Sequence, residues 1–127
     1  MHIAQITLVV RDYDEAIDYY TRSLGFTLKE DTALDDTGKR WVVVSPPGDQ
    51  GASLLLAKAA TFSQKESIGN QGGGRVMFFL RTTQFWSDYE TMKKKGVDFQ
   101  EQPRSEPYGN VVVFADLYGN LWDLIGD

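Results

Sequence analysis

Arg75 is the chemically odd residue of the chain: a fixed cation that opens an otherwise apolar run, able to pair with a carboxylate or another anion but unable to be a metal ligand. The chain has one histidine and no cysteine. Disulfides, thiolate catalysis and Cys-rich zinc sites are therefore excluded, and no Ser-His or Cys-His arrangement can be assembled around His2. By parity His2, three residues before Gln5, falls on the other face of a strand and reads as an exposed strand-end residue. No nucleophile and base stand at workable spacing on one element.

Other polar groups have structural explanations. Asp12, Asp14, Glu15 and Asp18 stand where a helix begins, and a helix start favours both a capping carboxylate and acidic residues in its first turn. Lys93, Lys94 and Lys95 suit a helix end. Gly72 to Gly74 lack the Lys-Ser/Thr of a phosphate-binding loop and lead into a strand instead of a helix, so they read as a flexible link.

The elements that must position these residues follow a repeating pattern. Ile3 to Val10 alternates as a strand, and Asp14 to Leu24 carries Ile17, Tyr20 and Leu24 on one helical face, closed by Gly25. Three strand-like runs follow, at Phe26 to Lys29, Arg40 to Ser45 and Ala52 to Ala57, separated by Asp-Asp-Thr-Gly and Pro-Pro-Gly-Asp-Gln-Gly turns. Residues 59–74 turn polar and glycine-rich, a connecting segment with one short helical turn. The pattern then restarts: Arg75 to Arg81 is a strand, and Gln84 to Lys95 a helix with Phe85, Tyr89 and Met92 inward and Gly96 as its cap. Phe99, Tyr108 to Ala115 and Asn120 to Ile125 supply three more strands. Gln5–Arg11 aligns with Arg75–Arg81 at an offset of 70, and the helix-ending glycines agree within one residue.

Thirteen Lys and Arg against eighteen Asp and Glu leave a formal charge of -5, which works against nucleic acid as a partner. With 42% hydrophobic and 13% aromatic residues the composition is that of a packed globular protein. The longest apolar runs, such as Val42–Val44 and Val76–Leu80, are too short to span a bilayer, and the first residues lack a signal pattern. No membrane association and a cytoplasmic location are the expectations.

Three stretches, ITLVVRDYDEAIDYYTRSLGF (6–26), GGGRVMFFLR (72–81) and VVVFADLYGNLWDLI (111–125), together resemble the vicinal oxygen chelate superfamily, which contains glyoxalase I, the bleomycin-resistance proteins, fosfomycin-resistance enzymes and extradiol dioxygenases. The resemblance implies an α+β fold of one domain. Two tandem βαβββ modules, residues 1–58 and 75–127, would form a curved, mostly antiparallel sheet around a cleft, with helices outside. Metal-using members draw one ligand from each of four strands. Those stations fall here on Gln5, Leu55, Arg75 and Asp123, and Leu55 and Arg75 disfavour a divalent metal. No cofactor is therefore expected; if a metal binds, its ligands would be Gln5, Asp123 and Glu106.

With the metal set broken, the resemblance implies a metal-independent protein binding a small organic molecule, as the bleomycin-resistance proteins do. Gln5, Thr7 and Leu55 with Trp41 would line the cleft on one side. Arg75, Met77 and Phe79, sharing a strand face by parity, would line it with Tyr108 and Asp123 on the other. Ile6, Leu8, Val76, Phe78, Leu80, Trp122 and Leu124 would pack under the helices. An Arg75–Asp123 ion pair could fill the volume a metal would take. The alternatives are a metal-dependent lyase or dioxygenase of the glyoxalase I or extradiol type with atypical ligands, and a pure interaction module. Members of the family commonly pair, so a homodimer is implied.

Overall fold

The computed structural model describes residues 1–48 and 50–127, which form two compact units, Met1–Ile68 and Gly69–Asp127. Asp49, inside the expected Pro-Pro-Gly-Asp-Gln-Gly turn, lies outside the described residues.

The first unit runs β1 (Gln5–Val10), α1 (Tyr13–Asp18), a π-helical turn (Tyr19–Ser23), β2 (Thr27–Ala33), β3 (Arg40–Ser45), β4 (Ser53–Lys58) and α2 (Phe62–Ser67). Asp12 caps α1 by accepting from the Glu15 backbone N–H at 2.9 Å. The single α-helix expected over residues 14–24 is instead short and widens into the π turn. Leu24 N donates to Tyr19 O, five residues back, and the Thr21 hydroxyl donates to Ile17 O at 2.7 Å. Tyr20 is thereby fully buried, 5.6 Å from the Phe26 ring. Gly25 follows at φ 73, a left-handed exit that a glycine takes without strain.

These strands form a mixed sheet in the order β1-β4-β3-β2, with β1 and β4 parallel and the remaining pairs antiparallel. Leu8, Val10, Val42, Val44, Leu54 and Leu56 share the face under α1 and are buried. Ile6 belongs to that face by parity but is 39% exposed, because the first half of β1 lies outside the covered area. Arg40 ties the β2–β3 hairpin to the helix start: it reaches Asp31 at 2.7 Å and Asp14 at 3.0 Å and lies over the Tyr13 ring.

The second unit contains β5 (Val76–Thr82), α3 (Phe85–Lys94), β6 (Asp98–Phe99), β7 (Arg104–Glu106), β8 (Gly109–Ala115) and β9 (Leu121–Gly126). Its sheet runs β5-β9-β8-β6, with β7 also paired to β8, and only β5–β9 is parallel among the described pairs. Phe78, Trp122, Phe114 and Phe99 fall at one level on four successive strands. Their rings form a row with centroid spacings of 4.5, 5.7 and 6.0 Å. Tyr89 of α3 caps the row at 4.7 Å from Phe99, and Phe85 stacks on Tyr89. Each well-placed aromatic pair adds about 0.5–1.5 kcal/mol beyond area burial, so this row anchors the unit.

The turn between β8 and β9 is organised by Asp116, which is buried. Its carboxylate accepts from Tyr118 N and Asn120 N, each at 3.0 Å, from Asn120 Nδ2 at 3.0 Å and from Trp122 Nε1 at 3.3 Å. The Asp-Leu-Tyr-Gly-Asn segment at residues 116–120 is therefore a hydrogen-bonded turn that also orients Trp122. Gly69 packs on this turn so closely that a Cβ there would overlap the Tyr118 carbonyl.

Candidate functional site

Each sheet has one face covered by helix and one face free of it. On the first unit the helix-free face carries Gln5 and Thr7 of β1, opposite Ser53 and Leu55 of β4 in the parallel register. Leu55 pairs with Val43, and Trp41 lies two residues before Val43 on the same face. Gln5 and Thr7 are exposed, whereas Trp41 and Leu55 are half-buried. The four residues expected to line one wall therefore share one face of one sheet.

On the second unit the register alters the expected grouping. β5 begins at Val76, and Arg75 lies just ahead of it, its N–H bonded to Gly72 O at 3.3 Å. Val76 pairs with Leu121 but Phe78 pairs with Trp122, so Met77 is an extra residue bulged out of the ladder. A bulge reverses the alternation of every residue on one side of it. Val76, expected under the helix, consequently stands with Leu121 on the helix-free face, and Phe79 is the residue opposite Asp123. Arg75 and Met77 line a small hollow with Gly72, Gly74, Asn120 and Leu121.

Among the described residues Arg75, exposed and ahead of the ladder, makes no ion pair with Asp123. The charges that act on Asp123 are those of Arg104 and Glu101. Arg104, on β7, contacts Glu101 at 3.1 Å and Glu106 at 2.8 Å. Those two bonds, Glu101's first, hold the guanidinium protonated well above the usual arginine range, with Tyr108 contributing a further hydrogen bond. Glu101 in turn accepts from Val113 N at 3.1 Å, and Val113 pairs with Asp123. Tyr108, in the β7–β8 turn, is 58% exposed.

Neither Glu101 nor Arg104 was singled out from sequence. Three residues of β7 are too few for an alternating pattern to register. The available signal was the sign-alternating Glu101, Arg104 and Glu106 around Pro103.

Burial raises the Asp123 carboxyl above its ordinary 3.8; Arg104 opposes this shift and Glu101 reinforces it. Its Oδ1 is buried and has no hydrogen-bond partner among the described residues. Ionising Asp123 therefore subtracts stability, beginning as pH rises past the ordinary carboxyl value and complete above the folded-state value. Asp123→Asn is expected to melt at a higher temperature than the native chain at pH 7, with the gap closing at pH 3, where both side chains are neutral. Calorimetry at the two pH values checks this, and a variant that melts lower at pH 7 contradicts it.

A family model described as the Glyoxalase/Bleomycin resistance protein/Dioxygenase superfamily matches residues 2–124. The chain belongs to this superfamily. It is 57% identical over 123 residues to an uncharacterized protein of Shewanella frigidimarina (strain NCIMB 400), covering 97% of this chain and 91% of that one. It is 35% identical to the uncharacterized protein YurT of Bacillus subtilis (strain 168), covering 98% of each. Among solved structures, UcmS2 superposes with a TM-score of 0.86 at 25% identity, covering 100% of this chain and 98% of that one. TnmS3, described as an antibiotic binding protein from Streptomyces sp. CB03234, superposes at 0.78 with 27% identity, covering 99% and 95%.

The superfamily's metal stations do not supply a metal donor set on either unit. Gln5 has Leu55 near it on the first sheet, and Asp123 faces Phe79 on the second. Glu106, the substitute ligand considered from sequence, is paired with Arg104. His2 is exposed and outside any strand. Among the described residues no group of three or more His, Asp or Glu side chains could hold a metal ion, and an amide or a lone carboxyl is insufficient. No described helix is long and apolar enough to cross a membrane.

Proposed function

We propose that this protein binds a small organic molecule without a metal, by a binding or sequestration role and not by a metal-dependent reaction. The binding surface of this reading is the helix-free face of the second sheet around Phe79 and Asp123, with Tyr108 at its edge. Gln5, Thr7, Trp41 and Leu55 form the corresponding surface of the first sheet. One observation carries the reading: Phe79, a ring 67% exposed to solvent, stands in register beside a half-buried carboxyl with an unpartnered oxygen. An apolar surface with a few convergent polar groups is the general form of a small-molecule site. The similarity to TnmS3 supports the same direction. A homodimer in the cytoplasm is part of the proposal.

The test is a thermal-shift and calorimetric screen of planar aromatic compounds run beside Ni, Zn, Mn and Fe. A bound aromatic at one hundred times its Kd is expected to stabilise the fold by about 2.7 kcal/mol, with no metal giving a stoichiometric stabilising interaction. Tight, stoichiometric metal binding would instead favour the lyase or dioxygenase reading and overturn this one.

A further inference from the structure

Resting on that reading, we propose that the surface around Asp123 selects aromatic ligands bearing a protonated amine over those bearing a carboxylate. Three observations converge on it. Asp123 is a half-buried carboxyl that receives no hydrogen bond among the described residues: its Oδ1 is shut away without a donor, so the accessible part of the group carries the unmet acceptor capacity. A ligand N–H or O–H meeting that accessible part would supply the missing bond, and an ammonium does so in the strongest, charge-assisted form. A ligand carboxylate brought to the same place would face lone pairs with lone pairs.

The second observation is the state of the nearby cation. Arg104, the basic group that acts on Asp123, is already engaged by Glu101 at 3.1 Å and Glu106 at 2.8 Å. A ligand anion drawn to Arg104 would therefore have to displace an existing carboxylate partner. Arg81 also lies on this face, two residues beyond Phe79 and opposite Ile125, but it is exposed and is not among the charges acting on Asp123. Arg75 lies ahead of the Met77 bulge, on the hollow beside Gly72 and Asn120.

The third is Phe79. Its exposed ring stands next to Asp123 across the parallel pair. An aromatic face attracts a cation within about 6 Å of its centre and stacks on a ligand ring. Ring and carboxyl side by side therefore match a molecule in which an aromatic system and an ammonium lie one or two bonds apart.

Three probes of nearly equal shape separate the possibilities: 2-naphthylmethylammonium, 2-naphthylmethanol and 2-naphthoate, each titrated at pH 7.5 and followed by backbone amide shifts, which register affinities into the millimolar range. The ammonium is expected to bind at least about tenfold more tightly than the naphthoate, with the alcohol between them, as the difference made by one charge-assisted hydrogen bond. In Asp123→Asn the ammonium should lose roughly tenfold while the alcohol is unchanged. In Phe79→Ala all three should weaken together, and Arg81→Ala should leave the order intact. The wild-type order tests the inference without any variant. Naphthoate binding as tightly as the ammonium, a preference for naphthoate that disappears in Arg81→Ala, or full ammonium affinity in Asp123→Asn would each overturn it while leaving the small-molecule reading standing. If none of the three probes shifts residues on this face, the proposed function fails and the selectivity with it.

Discussion

Trp122→Ala is expected to lower the stability of the second unit by about 3–5 kcal/mol, as a drop in the urea midpoint. Trp122 is 3% exposed and is the second of four rings aligned across the sheet. Removing it takes away the contacts to Phe78 at 4.5 Å and to Phe114 at 5.7 Å together. Neighbouring rings are held at their backbone positions by the strand ladders and can refill little of the space. The cost therefore includes a cavity as well as lost burial. Trp122→Phe keeps most of the ring stack but loses the indole N–H, and it should cost markedly less. A loss under about 1 kcal/mol for the alanine variant would show that the row is not an anchor.

Asp116→Ala is expected to cost about 3 kcal/mol or more, because a buried donor left without an acceptor costs about 1–3 kcal/mol and this carboxylate serves several. Two backbone N–H groups, the Asn120 amide and the Trp122 indole all converge on it. Water could reach these donors only by opening the 116–120 turn, against which Gly69 is tightly packed. Asp116→Asn retains one acceptor oxygen and should fall between alanine and the native residue. The indole bond couples this position to Trp122, so the two alanine substitutions should be sub-additive by about 0.5–3 kcal/mol in a double-mutant cycle. Strict additivity would mean that the turn and the aromatic row act independently.

Fold elements were legible where their signal is local. β3 spans Arg40–Ser45 as read from its apolar run, Asp12 caps α1, and Phe85, Tyr89 and Met92 face inward from α3. Each follows from neighbours two to four residues apart, the range over which strand and helix periodicities operate. The π turn at Tyr19–Ser23 escaped because its residues keep a helical pattern while the hydrogen bonding shifts from four residues back to five. β2 proved longer than its apolar run, since its outer residues are exposed and its pairing to β3 continues through a bulge between Leu28 and Glu30.

By itself the sequence determined the superfamily, the βαβββ order of the first unit and the chemistry available at Gln5, Leu55, Arg75 and Asp123. The element order follows from side-chain types and short-range spacing, and the four stations follow from the resemblance carried by three stretches of the chain. Only the tertiary structure decided which of these groups meet. The Met77 bulge exists as a mismatch between β5 and β9, strands far apart in the chain, and it puts Phe79 beside Asp123 while Arg75 stays ahead of the ladder. The cation that acts on Asp123, Arg104, comes from β7, a strand too short to carry a period, and the unpartnered oxygen of Asp123 is a property of burial. Register and burial depend on which distant residues pair, and alternation along one strand carries no record of an extra residue relative to its neighbour.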